Sequence, residues 1–180
     1  MPRRTLTSLT NLTRLDISLL DRDLQAITCL AQLNDLQLHS GPFAEGLLSF
    51  QNFKQITELR FGQGACNDVT LRYVAQLPHI TGLTAVGESD ATIGSQKSIT
   101  NDGLKWLVTL PNLKHLTLQS EFIDDDAIPA LEQMAALETL ELTWANISEA
   151  GANAFRRRDP NCRRRSPAGG STTRDIGCSC

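Results

Sequence analysis

Six apolar positions recur in fixed order five times along this chain, and a repeat of that strictness leaves few folds open to it. The run Leu24, Ile27, Leu30, Leu33, Leu36, Leu38 returns as Leu47, Phe50, Phe53, Ile56, Leu59, Phe61 and again as Leu71, Val74, Leu77, Ile80, Leu83, Ala85. It returns twice more, as Leu104, Leu107, Leu110, Leu113, Leu116, Leu118 and as Ile128, Leu131, Met134, Leu137, Leu140, Leu142. A shortened unit precedes these at Leu6, Leu9, Leu12, Leu15 and Ile17, and a degenerate one follows at Ala152, Phe155, Pro160 and Cys162. The last apolar positions lie 21, 23, 24, 33 and 24 residues apart.

The early part of each unit has apolar residues every third position and reads as a short amphipathic helix. The late part, as in Glu58-Leu59-Arg60-Phe61 and His115-Leu116-Thr117-Leu118, alternates with period two and reads as a half-buried strand. One helix and one strand cannot bury their own apolar faces. Stacked copies can, and they pair their strands into one parallel sheet of a curved α/β solenoid.

These residues resemble the leucine-rich repeat family over roughly residues 5–165, in particular its ribonuclease-inhibitor-like and cysteine-containing subtype. The resemblance is most specific at Ile99-Thr100-Asn101-Asp102-Gly103-Leu104 and Ile147-Ser148-Glu149-Ala150-Gly151-Ala152, with Ile123-Asp124-Asp125-Asp126-Ala127-Ile128 as a variant. It implies a right-handed solenoid with the sheet on the concave face and helices on the convex face. The expected organisation is a repeat domain over 1–165, with six to seven repeats, an insertion loop at 87–98 and a disordered tail over 166–180. Phe155 to Cys162 resembles the family's closing helix and its Leu-Pro-x-Cys end, with Asp159 where Leu is usual.

Local chemistry points the same way. Thr100, Asn101 and Ser148 are helix-capping residues, and the acidic residues beside them oppose the positive end of the helix dipole. Asp124-Asp125-Asp126 with Glu121 has the oxygen ligands a calcium ion takes, but consecutive helical residues point apart, so capping is the expected role. Cys66 and Cys162 fall in apolar columns and are expected to be small buried hydrophobes, whereas Cys29 lies off the stripe.

No residues converge for chemistry. His39 and His115 project from strands in different columns about three rungs, or roughly 14 Å, apart. His79 follows Pro78 in a turn, and no phosphate-binding glycine loop or metal-ligand spacing occurs. No catalytic residue, cofactor or metal is expected. The segment 5–155 carries 8 Lys and Arg against 18 Asp and Glu, while the ends carry 9 basic residues against 2 acidic. An acidic body does not make nucleic acid the expected ligand, although the arginines at 156–158 and 163–165 could touch phosphate.

What remains is the outward row of strand residues. One column is Arg14, Asp35, Glu58, Gly82, His115 and Thr139; the next is Asp16, Gln37, Arg60, Thr84, Thr117 and Glu141; the third is Ser18, His39, Gly62, Val86, Gln119 and Thr143. The residues expected to bind a protein or peptide are Asp35, Gln37, His39, Glu58, Arg60, Thr84, His115, Thr117, Gln119, Glu141 and, just past the last full strand, Trp144. Gly62 and Gly82 are expected to leave gaps for partner side chains.

The function expected is that of a non-catalytic protein-interaction module. The alternative implied by the resemblance is the substrate-recognition part of an SCF-type ubiquitin-ligase adaptor whose F-box lies outside this chain. Five scattered cysteines and the lack of a leader or membrane-spanning run suggest a cytoplasmic or nuclear setting. Cys178-Ser179-Cys180 resembles the lipidated terminus of Rab-type GTPases, but the rest of that family is missing, so free thiols are expected. Leu6, Leu9, Leu12 and Leu15 open the chain with little ahead of them, so self-association through that rung is expected.

Overall fold

The computed structural model describes residues 9–18, 21–39, 45–87, 98–158 and 176–179. Strands β1 (Arg14–Ile17), β2 (Asp35–Leu38), β3 (Glu58–Phe61), β4 (Gly82–Val86), β5 (His115–Gln119) and β6 (Thr139–Thr143) pair in sequence order, all parallel. Alternation fixes their register, because a slip of one residue would turn every leucine out of the core. Leu36 and Leu38, Leu59 and Phe61, Leu83 and Ala85, Leu116 and Leu118, and Leu140 and Leu142 are each at most 2% exposed.

That buried face joins Leu24, Ile27, Leu71, Val74, Leu104 and Leu107 from the intervening helical segments in one continuous core. Within it Phe50 lies 5.8 Å from Phe53 in an edge-on contact and 6.3 Å from Phe61 in a stacked one. Each strand is entered by the same backbone contact: the amides of Glu58, Gly82, His115 and Thr139 donate to Asn34, Thr57, Thr81 and Lys114 of the preceding unit at 2.9–3.0 Å.

The helical segments differ from the amphipathic α-helices expected throughout. Asp21–Ile27 and Glu45–Asn52 are 3₁₀ segments, and a 3₁₀ turn at Asp125–Ala127 leads into α3 (Ile128–Leu131). The remaining helices are α1 (Asp68–Val74), α2 (Asn101–Leu107) and α4 (Glu149–Arg158). The reason lies in the repeat, since apolar residues spaced by three match the 3.0 residues per turn of the tighter helix. The α form appears in α1 and α2, where Asn67 accepts from the Thr70 amide and Thr100 from the Asp102 amide.

A second difference concerns the C-terminal segment, read from sequence as unpacked from about Ser166. Within it Ile176–Ser179 form β7, which pairs antiparallel with β6 and closes that edge of the sheet. Its four residues Ile-Gly-Cys-Ser belong to no repeat unit, so the phase that located β1 to β6 does not reach them. The insertion residues 88–97, the closing residues 159–175 with Cys162, and Cys180 lie outside the described residues. At the other end Leu12, Leu15 and Ile17 pack partly against the core, and Leu9 is 46% exposed.

Candidate protein-binding face

The strand register brings the outward residues together in the three columns read from the sequence. Arg14, Asp35, Glu58, Gly82, His115 and Thr139 are successive partners across β1 to β6, and so are Asp16, Gln37, Arg60, Thr84, Thr117 and Glu141. Val86, Gln119 and Thr143 pair in the third column, while His39 and Gly62 follow directly after β2 and β3. His39, His115, Glu141 and Trp144 are exposed; Asp35, Gln37, Glu58, Arg60, Thr84, Thr117 and Gln119 are half-buried.

The two halves of this face differ in electrostatics. Among the described residues, ion pairs within the three outward columns lie on β1 to β3, while at the entry to β5 and β6 Lys114 Nζ pairs with Glu138 Oε1 at 2.6 Å. Asp35 is held between Arg60, on a guanidinium nitrogen, and Arg14, whose Nε lies 3.4 Å away. Asp16 Oδ1 lies 2.6 Å from His39 Nε2, which is 3.2 Å from Gln37 Nε2. These groups are engaged with one another, so a ligand would have to displace existing partners. Across β4 to β6 the face holds Thr84, Val86, Thr117, Gln119 and Thr143, uncharged and half-buried, bordered by exposed Glu141 and Trp144.

The glycine gaps are filled. A Cβ built on Gly82 would collide with the Glu58 carboxylate, whose Oε1 also accepts from Thr81 Oγ1 at 3.0 Å. On Gly62 it would lie 3.1 Å from His39 Nδ1. Both glycines admit a side chain of the preceding strand rather than one from a partner. His115 Nδ1 meets Thr139 Oγ1 at 2.8 Å, so the two sheet histidines have separate partners.

Trp144 has a geometry that sequence reasoning missed. Its φ is 63°, the sole positive value at a non-glycine position among the described residues. The left-handed region crowds a bulky residue's Cβ, and here the side chain is 41% exposed rather than packed. Two residues on, Asn146 bridges to Asp124 and donates through Nδ2 to the Glu121 carbonyl at 2.5 Å.

The caps have a further role beyond the single helices. Asp68 accepts from the amide and the hydroxyl of Thr100 at 2.8 and 2.7 Å, and Asp125 accepts from the amide and hydroxyl of Ser148 at 2.7 and 2.5 Å. Asn101 does not cap its own helix as expected. Its Oδ1 accepts from the Asp124 amide at 3.2 Å, and its Nδ2 donates to Asp124 Oδ1 at 2.6 Å. Ser148 Oγ in turn accepts from the Gly151 amide, and Asp124 from the Asp126 amide. The result is a polar ladder in which each unit completes the next unit's helix start. The Ser148 bonds hold the Asp125 carboxyl below its ordinary pKa. Among the described residues no group of three or more His, Cys, Asp or Glu has a geometry that could hold a metal ion, and no helix is long and apolar enough to cross a membrane.

No protein-family model matches the sequence, and no curated protein does. Among solved structures the chain is similar to internalin C2 from Listeria monocytogenes, at 20% identity and a TM-score of 0.45. The likeness covers 79% of this chain and 66% of that one, a little under two thirds of its length.

Proposed function

We propose that the chain is a leucine-rich repeat protein, a right-handed solenoid with its sheet on the concave side, that acts as a non-catalytic binding module for a protein or peptide. The observation that carries this reading is the alignment of outward residues in three columns over six parallel strands, half of which is free of internal ion pairs. A ligand gains most on β4 to β6, where Thr84, Thr117, Gln119, Glu141 and Trp144 offer small polar groups, one carboxylate and one aromatic anchor. Asp35, Gln37, His39, Glu58, Arg60 and His115 fix the shape and charge of the remainder. The free thiols of Cys29 and Cys66 support a reducing compartment, cytoplasmic or nuclear. Leu9, about half exposed, supports self-association through the N-terminal rung.

The test is site-specific photocrosslinking in the native host, with a benzophenone side chain at Thr117 or, as a control on the helical side, at Gln76. Partners trapped from Thr117 and not from Gln76 are the expected result. Equal trapping from both, or trapping from Gln76 alone, would refute the sheet face as the binding surface.

A further inference from the structure

Strands β1 to β6 obey one rule: each is parallel to the last and is followed by a turn and a helical segment. β7 breaks it, arriving after α4 and residues 159–175 and running antiparallel along the outer edge of β6. It is therefore a cover for an edge, not another repeat, and an uncovered edge is a row of unpaired backbone donors and acceptors. The cover is weak by composition. It has four residues, and Gly177 stands in its interior opposite Glu141. Glycine in a strand loses backbone entropy and supplies no side chain to pack.

The same edge ends at Trp144, two residues beyond Leu142, the last residue of β6 paired to β7. A fold gains nothing by holding a tryptophan in the left-handed region with its ring out of the core, and such strain gathers at sites of function. We propose that the outer edge of β6, together with Trp144, is a strand-acceptor site for an extended segment of a partner protein, and that Ile176–Ser179 fills it in cis until displaced. The site rests on reading the chain as a protein-binding module but occupies an edge, not the sheet face.

The register defines the chemistry of the incoming segment. Residues opposite Leu140 and Leu142 are to be apolar, as Cys178 and Ile176 are in sequence, because those leucines turn into the core. The residue opposite Glu141, an exposed carboxylate, is best a lysine or arginine, since opposite charges paired across strands stabilise. A segment two residues longer than β7 at its N-terminal end passes Thr143 and reaches the Trp144 ring. Backbone pairing supplies affinity and these side chains supply choice, as in strand addition generally.

The probe is a fluorescein-labelled peptide of residues 170–180 bearing Gly177→Lys, titrated under reducing conditions into the full chain. Residues 159–175 tether β7 at an effective concentration of order millimolar, so the wild-type chain binds the peptide weakly. The double variant Gly177→Pro/Cys178→Pro removes two successive amides, one of which must face β6, and opens the edge. It should bind at least tenfold tighter. In that background Trp144→Gly should cut affinity at least fivefold while leaving the melting temperature unchanged or higher, which a purely structural tryptophan would not do. Equal affinity in wild type and the double-proline variant, or no binding by either, would overturn the proposal; an unchanged affinity with Trp144→Gly would remove Trp144 from it. Peptide exchange without crosslinking at Thr117 would refute the sheet-face reading and leave this site standing.

Discussion

Replacing Gly103 by alanine tests the polar ladder, because two opposing effects of known size meet at one atom. Alanine in a helix interior is favoured over glycine by about 0.5–1 kcal/mol. At Gly103, however, the new methyl would overlap Asp68 Oδ1 and stand 2.9 Å from its Cγ and 3.0 Å from Leu71 Cδ1. The Asp68 side chain can swing away at little steric cost, but it then releases the amide and hydroxyl of Thr100. Hydrogen bonds to a charged acceptor contribute about 1.5–3 kcal/mol each. Asp68 is half-buried, so the lower figure applies to both, about 3 kcal/mol in all, and the net loss is about 2 kcal/mol. For a chain of this length that lowers the melting temperature by about 4–8 °C. The discriminating measurement is a double-mutant cycle by calorimetry or urea titration. With Asp68→Ala already present the obstacle is gone, and Gly103→Ala should be neutral or stabilising. A stabilising effect of Gly103→Ala in the wild-type background, or effects additive to within about 0.5 kcal/mol, would refute the reasoning. The chain already contains one comparison: where Asn101 replaces the aspartate, the next unit carries Ala127 at the column of Gly103 and Gly151.

Three other outcomes follow from the same geometry. Leu116→Ala, at a site 1% exposed, should destabilise by about 2–5 kcal/mol, whereas Thr117→Ala on the outward face should stay within about 0.5 kcal/mol; denaturant melts of both check this. The Asp125 carboxyl has a lowered pKa in the fold, so its stabilising effect is complete above the ordinary carboxylate value and is lost as pH falls through the lowered one. The stability difference between wild type and Asp125→Asn should therefore be flat from about pH 6 to 8 and shrink below about pH 4. Burial pushes the Cys66 thiol well above its ordinary pKa, with Asp68 adding to the shift, while Cys29 is exposed. Thiol labelling at pH 8 followed by peptide mapping should modify Cys29 promptly and Cys66 only after denaturant is added.

The apolar columns were sufficient to order the sheet, because the two-residue alternation at Leu59 and Phe61 or Leu116 and Leu118 admits one register. From that register the outward columns followed pair by pair. What could not be read from them depends on side chains reaching between units. Gly62 and Gly82 look like gaps in a column of residues, yet a long side chain in the preceding strand fills each. Asn101 has the composition of a helix cap, and only the stacking of units shows that its amide reaches Asp124. The α or 3₁₀ form of each segment is not reported by apolar spacing, and local caps do not settle it, since Asp124 caps the 3₁₀ turn at Asp125–Ala127 as Asn67 and Thr100 cap α1 and α2. β7 escaped because Ile176 and Cys178 stand outside the six-position repeat that located the other strands, and the φ of Trp144 because a turn residue leaves no mark on the apolar columns.

The bond between Asp68 and Thr100 spans 32 residues of sequence. Between them lies the insertion from Gly87 to Ser98, yet β4 and β5 on either side keep the register of every other parallel pair. Since the entropy of closing a loop rises only logarithmically with its length, the excursion adds little to the cost of bringing these ends together. Asp68 with its two bonds on one side, and the β4–β5 pairing on the other, work as a splint across the break. The stack is thereby held in phase on both sides of residues 88–97, so changing their length should leave the neighbouring units in step.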